Sequence, residues 1–340
     1  MQTVRAKAPT RIDLAGGTLD LWPIHHLLRH KATVNVGVTL YAKAEVGPSP
    51  DGLFHLISLD QETATKGDFA TVVGNHELPL LGLLLGAFWS AERAPLAIKT
   101  NAMSPAGAGL GGSSCLGVAV AGALQKQREL HGLVPTLSEA DLIRVVQDAE
   151  AKLIHAPTGV QDYWGGMRGG VNILRFPFGK VEVETLPAAQ LPGLTDELIL
   201  CYSGKSRASA LNNWEIFKRL FDKDPELLAA FEILGATAED CAAAVTAGDL
   251  RQTLKLSQQE WLQRIAMWPS IETEETRRID LAARAAGAEF SRVCGAGGGG
   301  VMAVFTPPQQ HQAVKIAMEQ VGGRILDATV AASGLTVEIA

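Results

Sequence analysis

The chain has 340 residues, 47% hydrophobic and 19% charged, which fits a soluble globular protein of one large or two ordinary domains and not a disordered one. A formal net charge of -6 leaves no basic footprint for nucleic acid. The scattered Cys115, Cys201, Cys241 and Cys294 lack metal-ligand spacing, no export signal opens the chain, and the apolar stretch 78–89 is too short to cross a bilayer, so a cytoplasmic protein with reduced thiols and no membrane partner is expected.

Residues 4–46 read as β-branched strand segments broken by a turn at Gly16 and Gly17. The apolar stretch 78–89 reads as a buried helix, and 96–100 as a strand feeding the glycine-rich segment 104–112. An alanine-rich helix follows, with Ser113 suited to its N-cap. A second helix begins at 136–139 and runs past Glu150; a loop with Pro157, Gly159 and Asp162 leads to a strand at 171–176. Near residue 190 the texture changes. A strand at 198–202 precedes an almost wholly helical region, 208–286, which is open to two roles, a cover over the site or a homodimer interface. Strands at 289–293 and 301–305, a helix at 309–321 and a last strand at 334–339 close the chain. The organisation predicted is α+β in two halves, 1–190 and 191–340.

Glycine loses the most backbone freedom on folding, so dense glycine clusters need a reason. Three occur: AGGT at 15–18, SPAGAGLGGSS at 104–114, and GAGGGG at 295–300. The middle one formally contains G-x-G-x-x-G, but no second strand with an acidic residue follows at dinucleotide-site spacing. Ser113 stands where a Walker lysine would be, which removes the P-loop reading as well. A strand, a glycine loop and a helix N-terminus remain, a combination that attracts phosphate through backbone N–H groups and the helix dipole. The same loop read alone also fits a tight strand-to-helix turn.

Together the motifs APTRIDLAGGTLD at 8–20, SPAGAGLGGSS at 104–114 and VCGAGGGG at 293–300 resemble, in order and separation, those of the GHMP kinase superfamily of galactokinase, homoserine kinase, mevalonate kinase and phosphomevalonate kinase. TGVQDYWGG at 158–166 and YSGKSRAS at 202–209 look most like its sugar 1-kinase branch, such as heptose 7-phosphate kinases. The resemblance implies an N-terminal domain like domain 2 of ribosomal protein S5, a ferredoxin-like C-terminal domain with extra helices, and an active site between them. It implies transfer of the γ-phosphoryl group of ATP, with Mg²⁺, to a small-molecule sugar or sugar phosphate at its anomeric hydroxyl. Gly112 in place of a common serine, and Leu19 within the first motif, depart from the pattern.

The resemblance assigns Asp162 as the base and Arg11 as the cation beside it. Pro105, Gly107, Ala108, Gly109, Leu110, Gly111, Gly112, Ser113 and Ser114 would cradle the nucleotide phosphates. Ser113 and Glu150 would hold Mg²⁺, which takes few protein oxygens; ungapped matching from Gly107 favours Ser113 over Ser114. On the acceptor side it implies Gly17, Thr18, Asp20, Gly297 and Gly298, with Lys205 and Arg207 for a phosphate already on the sugar.

Overall fold

The computed structural model describes residues 2–133, 135–205 and 213–340. Its strands are β1 (Val4–Ala15), β2 (Ala32–Pro48), β3 (Phe54–Ser58), β4 (Thr63–Gly67), β5 (Leu96–Ala102), β6 (Val171–Arg175), β7 (Glu182–Leu186), β8 (Leu198–Tyr202), β9 (Phe290–Val293), β10 (Val301–Phe305), β11 (Arg324–Leu326) and β12 (Thr336–Ile339). Its helices are α1 (Phe69–Val73), α2 (Pro79–Phe88), α3 (Gly112–Leu130), α4 (Glu139–Ile154), α5 (Gln161–Arg168), α6 (Leu194–Glu197), α7 (Asn213–Phe221), α8 (Pro225–Thr246), α9 (Leu250–Met267), α10 (Glu274–Ala285) and α11 (His311–Gln320).

The first sheet runs β12-β1-β2-β5-β3-β4, with β6 also on β2 and β7 on β6. All its pairings are antiparallel except β3 with β5. The second is the antiparallel sheet β11-β8-β10-β9. The mixed α+β architecture is as the sequence predicts. The short elements β3, β4, α1, β7 and β11 carry no strong periodicity and are visible only here. The closing strand pairs with β1, Val4 opposite Ile339, so the chain ends in the first sheet rather than among the other elements of 191–340.

β1 links the two cores. Its first residues alternate buried and exposed, the signature of a strand with one covered face. There Val4, Ala6 and Ala8 pack with α3 residues such as Val118 and Ala119. From Ala8 onward every residue is buried, because α8 and α9 cover the other face, and Ile12 and Leu14 join a second core with Phe231, Leu254 and Phe305. Arg11 and Asp13 lie in this doubly covered stretch, where a charge must find partners or be excluded.

Candidate active site

The segment before α3 is a tight backbone feature. Gly107, Gly109 and Gly111 all have positive φ, +67°, +78° and +70°, a conformation that costs a side-chain-bearing residue about 1–2 kcal/mol. Space forbids a side chain too: a Cβ at Gly111 would stand 2.8 Å from Asp162 Cγ, and one at Gly109 would stand 2.5 Å from the carbonyl oxygen of Cys294. Helix α3 starts at Gly112 with Gly111 as N-cap and no side-chain cap bond. The expected Ser113 cap is therefore corrected; the cap lies two residues earlier, at Gly111, and the first N–H groups of the helix stay open to an anion. This loop and helix start line a cavity of about 340 Å³ with Glu150, Arg11 and Asp162.

Arg11 is the hinge-pin of the site. Its Nε donates to Asp162 Oδ1 at 2.6 Å, Nη2 stands 2.5 Å from the same oxygen, and Nη1 donates to the carbonyl of Gly109 at 2.7 Å. Burial opposes the charge, yet the Asp162 and Asp13 carboxylates outweigh it and raise the guanidinium above its ordinary pKa. Asp162, in the first turn of α5, keeps a quarter of its side chain exposed.

A smaller cavity of about 110 Å³ opens on the far side of this pair, walled by Gly17, Thr18, Asp20, Gly159 and Gln161 among others. Arg11 and Asp162 line both cavities. Asp20 is buried, and its Oδ2 accepts the N–H of Gln161 at 3.0 Å. Burial drives its carboxyl up to about 6; the Gln161 bond opposes this and the Asp162 charge adds to it. Gly159 must be glycine, since a Cβ there would fall 2.0 Å from Asp20 Oδ2.

In the larger cavity, Glu150 Oε2 receives two hydroxyls, Ser114 Oγ and Tyr163 OH, each at 2.6 Å. Burial, then the Glu150 charge, raises the Tyr163 phenol, so it remains a donor. Ser113 is exposed. Ser113, the expected metal ligand, lines the same cavity as Glu150, while the turn starting at Gly112 aims Ser114 directly at Glu150, since one position along a helix rotates a side chain by about 100°. No group of three or more His, Cys, Asp or Glu side chains is placed to hold a metal among the described residues. One carboxylate beside a hydroxyl is nonetheless the oxygen set that suits Mg²⁺ when phosphate and water complete its shell.

Gly297 and Gly298 do not line the smaller cavity: a Cβ on Gly297 would meet Ile271 at 2.5 Å, and the N–H of Gly298 donates to the Ile271 carbonyl. Their neighbours Gly295 and Ala296 line the cavity instead. Lys205 is exposed and pairs with Glu275 at 3.3 Å, while its carbonyl accepts the N–H of Gly300. It does not line that cavity, and Arg207 lies outside the described residues. His25 stacks on Phe176 with centroids 4.6 Å apart, a packing role.

The sequence reading missed a buried charge cluster behind Arg11. Asp13 accepts from Arg292 Nη2 and from the N–H of Gly295, both at 2.8 Å, and Arg292 also pairs with Glu260 at 3.0 Å. Burial opposes the Asp13 charge, but Arg292 and Arg11 hold its carboxyl below its usual range. A signal did exist: Arg11 and Asp13 stand two apart on one strand and so share a face.

Residues 82–170, which carry the glycine loop, α3, Glu150 and Asp162, match the family model described as GHMP kinases N terminal domain. That region is similar to a GHMP kinase N-terminal domain, and the likeness of the rest of the chain rests on its relatives. Over 98% of its length and 98% of the relative's it is 24% identical to the D-glycero-alpha-D-manno-heptose 7-phosphate kinase of Campylobacter jejuni. It is 28% identical to the mevalonate kinase of Pyrococcus horikoshii over 73% of this chain and 70% of the other. Among solved structures, a D-glycero-D-manno-heptose 1-phosphate kinase from Bacteroides thetaiotaomicron superposes with a TM-score of 0.76 at 20% identity, covering 99% of each chain. The galactokinase of Lactococcus lactis with galactose superposes with a TM-score of 0.74 at 17% identity, covering 98% of this chain and 95% of that one. These likenesses give the fold. Among the described residues no helix is long and apolar enough to cross a membrane.

Proposed function

We propose that the protein is an ATP- and Mg²⁺-dependent sugar kinase that phosphorylates the anomeric hydroxyl of a heptose 7-phosphate or a related sugar. The observation that carries this reading is the placement of Arg11 and Asp162 on the wall shared by two cavities. One has a phosphate-binding loop and the other a buried carboxylate, so the pair stands where a phosphoryl group would cross. The full-length likeness to a heptose 7-phosphate kinase supports the acceptor class.

In this mechanism the open N–H groups of α3 and its loop take the nucleotide phosphates. Glu150 with Ser114 would hold Mg²⁺, which supplies charge neutralisation on the transferring group. Asp20 accepts a hydrogen bond from a sugar hydroxyl. Asp162 takes the proton of the attacking hydroxyl as its oxygen bonds to the γ-phosphorus and the bond to the β-phosphate oxygen breaks. Arg11 keeps Asp162 oriented and ionised and faces the developing charge. The setting proposed is the cytoplasm, where ATP is available and thiols stay reduced.

The test is a phosphorus NMR assay of ATP with free sugars, sugar phosphates, mevalonate and homoserine. A new anomeric phosphate signal with a heptose or hexose acceptor is expected. Turnover of mevalonate with none of any sugar overturns the proposal.

A further inference from the structure

One wall of the acceptor cavity is the guanidinium of Arg264, on α9. It is 1% exposed, and its charge is met only loosely: Nη1 stands 3.8 Å from Glu260 Oε1, and Nη2 donates to the Gly295 carbonyl at 3.5 Å. Nε and Nη1 have no hydrogen-bond partner among the described residues. Leaving such donors unmet when buried is unfavourable, so this group is short of an acceptor oxygen. Its neighbours differ. Arg11 has Asp162 and Gly109, and both terminal nitrogens of Arg292 are bound, Nη1 to Leu14 O and Ser257 and Nη2 to Asp13, only its Nε lacking a hydrogen-bond partner among the described residues.

A second feature points the same way. Gly17 has no positive φ, so its conformation does not demand glycine, but a Cβ there would stand 2.4 Å from Arg264 Nη1. The chain is bare where the guanidinium reaches the cavity wall.

We propose that Arg264 is a further acceptor-binding residue, donating to an oxygen of the substrate that Asp20 grips by accepting from a hydroxyl. The inference rests on the kinase reading and narrows it. The cavity holds the carboxyls of Asp20 and Asp162, and the Arg11 donors are taken, so an anionic group here would face two acids with one free cation. A pair of neighbouring hydroxyls, which can donate to one side and accept from the other, satisfies both walls. The part of the acceptor lodged here is therefore a neutral polyol, and any phosphate it carries lies outside this cavity.

Two variants separate contact from charge. Arg264→Lys keeps a cation beside Glu260 but loses the planar fork; Gly17→Ala keeps Arg264 and obstructs Nη1. Titration calorimetry of the same acceptor panel, with circular dichroism to confirm folding and steady-state kinetics alongside, gives the readout. Both variants should weaken acceptor binding about tenfold or more, with KM for ATP within about twofold. A deoxy-sugar lacking the contacted hydroxyl should bind wild type and Arg264→Lys alike. Unchanged acceptor affinity in both variants, or an equal loss on ATP, overturns the assignment; so does a wild type that binds no panel member. Preference for mevalonate over every sugar overturns the neutral-polyol part. If Arg264→Lys does not fold, Gly17→Ala decides alone. A wild type that binds a sugar without phosphorylating it overturns the kinase reading, while the same titration still decides on Arg264.

Discussion

Asp162 Oδ1 lies 2.6 Å from Arg11 Nε, joining positions 151 residues apart in the chain. The contact sits on a wall that the larger and the smaller cavity have in common, and Arg11 is also tied to the glycine loop through Gly109. One guanidinium thus fixes the loop and the carboxylate relative to each other.

Asp162→Asn keeps the shape of that contact and removes the proton acceptor. The rate should fall about 10²–10⁴-fold, the usual worth of a positioned general base. ATP affinity by calorimetry should stay within about threefold. Equal losses in rate and in ATP binding would assign Asp162 to nucleotide binding instead.

The Asp20 carboxyl, raised to about 6 by burial, makes acceptor binding pH-dependent. As pH falls through about 6 it gains a proton and ceases to be a charged acceptor, so acceptor KM should rise on the acid side. In Asp20→Asn that limb should flatten. Stability carries the opposite sign: a folded pKa above the unfolded one makes folding most favourable below the unfolded value, and that advantage is lost as pH rises through about 6. Asp20→Asn should therefore raise Tm at pH 7.5 and leave it nearly unchanged at pH 4, as measured by calorimetric melts.

Two glycines should respond differently to alanine. At Gly111 the new Cβ meets Asp162 Cγ at 2.8 Å, and misplacement of a reacting group by about 1 Å can cost 10²-fold in rate. At Gly297 the Cβ meets Ile271, including its backbone, away from the acceptor cavity. Gly111→Ala should lose turnover well beyond its loss of stability; Gly297→Ala should lose stability with turnover per folded molecule nearly kept. Paired kinetics and thermal melts distinguish the two.

Ser114→Ala should raise the Mg²⁺ concentration for half-maximal rate more than Ser113→Ala does, because Ser114 donates to Glu150 at 2.6 Å whereas Ser113 lines the same cavity without that contact. A Mg²⁺ titration of each variant at saturating ATP checks this, and the reverse order would restore the assignment that ungapped matching favours.

Much of this was legible in the chain. The glycine loop and the helix after it follow from local composition, whereas Arg11 and Asp162 were singled out by the resemblance of their motifs to a known family. The serine facing Glu150 was not legible, because it depends on which residue starts α3. Nor was the inward turn of Gly297, which is set by Ile271 from a separate segment. The cluster of Asp13, Glu260, Arg264 and Arg292 was hidden for a plainer reason: its members are brought together by tertiary packing, with Asp13 and Arg292 279 residues apart.

Asp13 and Arg292 are wholly buried where β1 of the first sheet meets β9 of the second. Swinging the two sheets apart would strand these ions without their partners, at several kcal/mol each. The joint is therefore held shut at this point by charge as well as by packing.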